Sequence, residues 1–184
     1  MSLLVIKPPT NSVVLDMTTA PADGQVLTYD SASARWVPGD AWISAVLSSN
    51  VTSTSVTAAN IAGFTFTPAA NKSYLFEAKI LAQTVITTTG IRIGYAAMTG
   101  DITCAARLMV PSSSTGMIFA NMTGKTAQLG VVGTGIVTAQ FVTIEGVLVA
   151  GAAPTSAFQV TLASEVAAST VTVLAGSSFR YREA

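Results

Sequence analysis

From about residue 41 to the C-terminus, apolar and polar side chains alternate with a period of two. Tyr74, Phe76, Ala78, Ile80 and Ala82 fall on one side of an extended chain, and Ser73, Glu77, Lys79 and Gln83 on the other, because successive side chains of a strand point to opposite faces. The same alternation sets Ile91, Ile93 and Tyr95 against Arg92 and Gly94, and Phe158, Val160 and Leu162 against Gln159 and Thr161. It returns near the end, with Val171 and Val173 against Thr172, and Phe179 and Tyr181 against Arg180 and Arg182. Residues 140–149 differ. There Phe141 and Val147 interleave with Val142, Ile144 and Leu148, so both sides are apolar. That pattern fits a strand buried on both faces or one lying at a subunit interface. Turn-forming clusters separate the runs, at residues 68–72, 99–101, 111–113, 123–125 and 151–154. Convincing helical periodicity is absent, repeats at a fixed period are not evident, and residues 41–47 read equally as a short helix or a first strand. Short strands at this spacing predict an all-β domain over residues 41–184, an antiparallel β-sandwich or jelly roll.

The first forty residues follow another pattern and predict an extended N-terminal arm over residues 1–40. Lys7-Pro8-Pro9 imposes extended backbone, since each proline fixes its own φ and restricts the residue before it. Pro21-Ala22-Asp23-Gly24 is a turn signal. Residues 25–29 then predict a short strand, residues 30–34 a loop and residues 35–37 a return strand ended by Pro38-Gly39. The small hairpin so formed carries Leu27, Tyr29 and Trp36. An isolated hairpin is marginal in water, so these side chains need a surface to pack on. Leu27, Tyr29, Trp36 and the nearby Trp42 are the candidate attachment residues, and the arm is weighed as an attachment segment against a strand folded back on its own domain.

Composition narrows the function. Of the 184 residues 50% are hydrophobic and only 10% charged, with net charge zero, where ~25% charged is usual. So little charge gives weak protection against association, and predicts that neighbouring molecules cover much of the surface. No basic excess is present to neutralise phosphates, which argues against nucleic-acid binding. No basic, apolar leader opens the chain. The long uncharged stretches 126–144 and 146–164 are broken by Gln128, Gln140, Pro154 and Gln159, unlike a membrane helix. Cys104 is the single cysteine, which leaves no intrachain disulfide and reads as a small buried hydrophobe.

Catalytic and metal-binding candidates are few. The chain has no histidine, which removes the usual general base and the commonest metal ligand. Glu77, Glu145, Glu165 and Asp101 remain as carboxylates for paired acid–base work. Glu77 reads as a solvated or salt-bridged surface group, and Glu145 and Glu165 as partners of Arg92, Arg107, Arg180 or Arg182. The Gly130–Gly135 run has the wrong order for a nucleotide loop and reads as a glycine-rich strand or turn. The Asn-x-Ser/Thr triplets at Asn50, Asn71 and Asn121 read as chance matches in a Thr/Ser-rich chain. No catalytic residue, metal site or cofactor is expected.

Asp23-Gly24-Gln25-Val26-Leu27-Thr28-Tyr29-Asp30, followed by Arg35-Trp36-Val37-Pro38-Gly39, resembles a segment common in phage tail fibres and other virion appendages. The runs 74–78, 87–94, 144–146, 163–166 and 171–183 are similar to small phage structural domains. The resemblance implies a non-enzymatic bacteriophage virion protein, a homotrimer bound to other virion proteins such as the major capsid or a tail or baseplate protein. It would be located in the virion and assembled in the bacterial host cytoplasm, with no nucleic acid or membrane partner. The length is short for a receptor-binding fibre with shaft and tip. The leading expectation is a capsid decoration or cement protein attached through its arm. A head or tail fibre component comes next, and a carbohydrate-binding or adhesin module last, because only Trp36 and Trp42 offer indole platforms.

Overall fold

The computed structural model describes residues 42–112, 116–130 and 137–184, together with the backbone of four short strands between residues 5 and 39. The chain divides into two units, Met1–Ile43 and Ser44–Ala184. In the first, β1 (Val5–Ile6) pairs antiparallel with β2 (Val13–Val14), Val5 opposite Val14. Lys7, Pro8 and Pro9, whose geometry carried the expectation of extended backbone, lie outside the described residues. The expected hairpin is present as β3 (Val26–Asp30) and β4 (Arg35–Gly39), with Tyr29 opposite Trp36 and Asp30 opposite Arg35. Its return strand runs through Pro38 to Gly39 rather than ending before them. Proline has no N–H to donate, so in a two-stranded ribbon it removes no ladder bond where its nitrogen faces away from the partner strand.

The second unit is an antiparallel β-sandwich. Its strands are β5 (Ile43–Val46), β6 (Val51–Ser53), β7 (Ala59–Phe66), β8 (Ser73–Thr84), β9 (Ile91–Tyr95), β10 (Gly100–Pro111), β11 (Met117–Thr123), β12 (Gln128–Leu129), β13 (Gln140–Pro154), β14 (Phe158–Ser164), β15 (Val171–Val173) and β16 (Ser178–Glu183). Residues 43–46, ambiguous in sequence, are a strand. The large sheet runs β11-β10-β13-β8, and the far edge of β8 is shared by β16 along its first half and β15 along its second, which carry β5 and β6 outside them. The small sheet runs β12-β9-β14-β7.

Between β15 and β16 the chain bends at Leu174–Ser177 without leaving β8. Buried Ser177 accepts from Leu81 N through its Oγ at 2.9 Å and donates to Leu174 O at 2.7 Å. Gly176 takes φ +87° there, a conformation that L side chains resist.

Period-two alternation places the core as expected. Tyr74, Phe76, Ala78, Ile80, Ala82 and Thr84 of β8 are all buried, and the intervening residues are not. Phe158 and Phe66 of the small sheet meet Phe76, Phe179 and Tyr181 of the large one, with ring centroids 4.3 Å apart for Phe76–Phe158 and 4.4 Å for Phe66–Tyr181. The Phe76 ring occupies the space over Gly146, where an added Cβ would lie 2.7 Å from it. Of the clusters expected as turns, 151–154 instead forms the end of strand β13, whereas 99–101 lies where β10 begins, at Gly100. Gly100 faces Pro154 across an irregularity in β10, and Asp101 Oδ2 accepts from Ala152 N at 3.2 Å. Long ladders override turn-forming composition when a bulge absorbs the extra residue.

Two tip loops join the sheets at one end and are built alike. The sequences Thr84-Val85-Ile86-x-x-Thr89 and Ser164-Glu165-Val166-x-x-Ser169 share a hydroxyl, an aliphatic and a second hydroxyl at the same spacing. Thr84 Oγ1 donates to Ile86 O at 2.9 Å, as Ser164 Oγ does to Val166 O at 2.8 Å. Val85 N donates to Thr170 O and Glu165 N to Gly90 O. The hydroxyls of Thr89 and Ser169 hydrogen-bond each other between the loops. This local pseudo-twofold pairing was not legible as a repeat.

Phe158 touches both sheets, so Phe158→Ala should remove about 3–5 kcal/mol of stability, read from denaturant unfolding. An equal truncation at exposed Phe119 should cost well under half as much, in keeping with the smaller losses at surface positions.

Candidate functional site: the outward face of the large sheet

The face of the large sheet turned away from the core is where polar and apolar side chains are arranged in register. Glu145 of β13 stands directly opposite Glu77 of β8. Like charges opposed across a ladder repel, and each carboxylate is compensated on its other side. Arg107, opposite Glu145 on β10, donates from Nη2 to Glu145 Oε1 at 2.5 Å. Arg180, opposite Glu77 on β16, donates from Nε to Glu77 Oε2 at 2.7 Å, and Lys79 Nζ lies 3.4 Å from Glu77 Oε1. The result is a cross-strand row, Arg107–Glu145–Glu77–Arg180, of signs plus, minus, minus, plus.

Apolar rows flank it. On one side, towards the start of β13, lie Phe119 opposite Met109 and Phe141 opposite Leu81, with Met117 beyond. On the other lie Ala105, Val147 and Leu75, successive neighbours across three strands, and then Val149. Phe141 is 61% exposed, Phe119 59%, Val149 45%, Met117 44% and Val147 41%. The run 140–149 is buried on one face only, at Val142, Ile144 and Leu148, and none of the described residues forms a second layer over the outward side.

The sequence candidates fall as follows. Leu27 is exposed and faces Pro38 in the hairpin. Tyr29 and Trp36 are backbone partners, and their side chains lie outside the described residues. Trp42, half-buried, precedes β5. None of these four belongs to the sheet face. Glu77 and Glu145 are held by arginines, as expected of such carboxylates. Glu165 is not; its Oε2 accepts from Gly90 N at 3.1 Å in the tip loops. Residues 131–136 of the glycine run lie outside the described residues. Among the described residues no group of three or more His, Cys, Asp or Glu side chains is placed to hold a metal, and no helix is long and apolar enough to cross a membrane. Sequence reading missed the importance of Phe119, Met117 and Val149. The signal for Val149 was the continuation of the two-sided pattern, whereas Phe119 needed the β10–β11 register.

Cys104 points into the core. Burial pushes its thiol up from 9.0 to about 12, and burial likewise raises the phenol of Tyr95, with the neighbouring Cys104 adding to it. Tyr95 donates from its hydroxyl to Gly124 O at 2.9 Å.

No protein-family model matches the sequence, and no curated protein matches it. Among solved structures, the chain is similar to that of the infectious bursal disease virus Gx strain at 14% identity, over 98% of this chain and 47% of the other, with a TM-score of 0.23. It is similar to the crystal structure of the infectious bursal disease virus VP2 subviral particle at 11% identity over 97% and 50% of the chains, TM-score 0.19. The T=1 particles derived from the same virus give 12% identity over 98% and 48%, TM-score 0.18. The chain spans about half the length of these proteins, and scores of this size carry no function across.

Two outcomes follow from the buried thiol and the charged row. Below pH 8 native and unfolded chains both keep the Cys104 proton, so it adds no pH dependence. Between about pH 9 and 12 the unfolded chain releases that proton while the native one holds it, so stability should fall as pH rises through that window. Denaturant titrations should show this slope, reduced in Cys104→Ala, and native Cys104 should resist alkylation at pH 8 until the protein is unfolded. In the row, Glu77→Gln should cost about 1 kcal/mol by weakening the Arg180 and Lys79 interactions. Glu145→Gln, which also removes the Glu–Glu repulsion, should lie within about 0.5 kcal/mol of the parent.

Proposed function

We propose that this chain is a non-enzymatic structural component of a bacteriophage particle, a homotrimeric capsid decoration or cement protein attached through its N-terminal arm. The observation that carries the reading is the outward sheet face, which exposes Phe119, Phe141, Val147 and Val149 on a chain with only 10% charged residues. A lone soluble domain seldom groups so many exposed large apolar side chains on one sheet face, here on either side of a charge-balanced row. A shell protein held among neighbours covers it. The hairpin resembling virion-appendage segments supports the attachment role, with Leu27, Tyr29 and Trp36 as anchors and Trp42 at the boundary. Apolar burial at ~25 cal/mol per Å² would let many weak seats reinforce an expanded head. The partners are other virion proteins, and the location is the virion.

A second reading, a head or tail fibre component, is favoured by the hairpin motif alone, since its resemblance is to fibre segments. Copy number separates the two. Gold labelling of the protein on particles should find it spread over the shell in hundreds of copies; a handful at one vertex or the tail would select the fibre. Deletion of residues 2–39 should leave a folded protein that no longer joins particles. Full occupancy by the truncated protein would overturn the attachment role of the arm.

A further inference from the structure

We infer that the outward face of the large sheet is where copies of this chain meet one another, around an axis running along its strands. This deepens the trimer reading above and rests on it. The observation is the layering of the face. Register aligns side chains of neighbouring strands at common heights, so the face is a stack of levels. Phe141 with Leu81 forms one level, Phe119 with Met109 and Thr143 the next, Arg107 and Glu145 a charged one, and Ala105 with Val147 an aliphatic one, followed by Val149.

Rotation about an axis parallel to the strands preserves height. Copies related in this way set each level against the same level of the next copy, aromatic on aromatic and valine on valine. The charged level is self-complementary in such an arrangement, because it holds both signs on adjacent strands. Arg107 of one copy can meet Glu145 of the next while each keeps its own partner, so the interface buries no net charge of one sign. A strongly charged partner would find no matching field here, since Glu77 and Glu145 are already offset by Arg180, Lys79 and Arg107.

The extent is adequate for a seat between copies. Four strands span three gaps of ~4.8 Å, and the eight steps from Phe141 to Val149 rise ~3.4 Å each, so the face, charged row included, projects on the order of 400 Å².

The test is the solution mass of the full chain by sedimentation velocity at micromolar concentration, beside a Phe141→Glu/Val147→Glu double variant. The parent should sediment as a trimer, and the double variant should show a threefold loss of mass with an unchanged far-UV spectrum. A double variant that remains trimeric, or a monomeric parent, overturns the inference. Should the double variant misfold, Val147→Cys alone decides the matter. Mild oxidation should link it into covalent dimers while the parent, with only buried Cys104, stays unlinked; absence of that link overturns the inference. Deleting residues 2–39 should leave the trimer intact. A deletion monomer would make the arm the associating element and overturn the inference. Particle incorporation is read separately, so a trimer that never joins a particle would sink the virion role and leave the face assignment standing.

Discussion

The packing of Phe158 against Phe76, with Gly146 left bare to receive the ring, is the contact on which the rest of the sandwich depends. Phe158 lies on the small sheet and Phe76 on the large one, and Phe66, Phe179 and Tyr181 close around them. Aromatic pairs combine large buried area with a preferred geometry, so this cluster sets where the sheets sit as well as how strongly they adhere. It also fixes which face of β8 turns inward. Because side chains alternate strictly along a strand, that choice sends Leu75, Glu77, Lys79 and Leu81 outward and with them the aligned positions of β13, β10 and β11.

The outward face is thus a consequence of the core. Glu77 and Glu145 are opposed because the same register that brings Ala78 beside Ile144 leaves the carboxylates side by side. The arginines on either side turn a local repulsion into a row without excess charge. The apolar levels around it stay exposed among the described residues, and removing them from water requires a second surface. The core stabilises one molecule, and on the proposed reading the outward face holds several together.

On the proposed reading, attachment and association fall to different parts of the chain. A two-stranded hairpin such as the paired β3 and β4 is marginal in water on its own. The sandwich carries its own core and tip-loop hydrogen bonds. In the tip loops, Val85 and Glu165 donate across to the opposite loop while Thr89 and Ser169 share a hydrogen bond. These loops close one end of the two sheets by satisfying polar groups that would otherwise be buried without partners.

The sequence by itself determined the strands. Alternation in residues 73–84, 91–95, 158–162 and 178–183 is a local property of the chain, and it specified the all-β class, the inward residues and the hairpin carrying Tyr29 and Trp36. Its low charge pointed to a covered surface without saying which surface. Tertiary structure decided whatever rests on pairing between distant strands. Composition alone would have ended a strand before residues 151–154, yet the long β10–β13 ladder runs on to the Gly100–Pro154 pair. Arginine partners for Glu145 and Glu77 could be guessed as a class, but only register selects Arg107 and Arg180, and it leaves Glu165 bonding to a backbone N–H. Phe141 and Val147 read as buried because a sequence records hydrophobicity, whereas burial depends on whether another layer arrives to cover the face, and among the described residues none does.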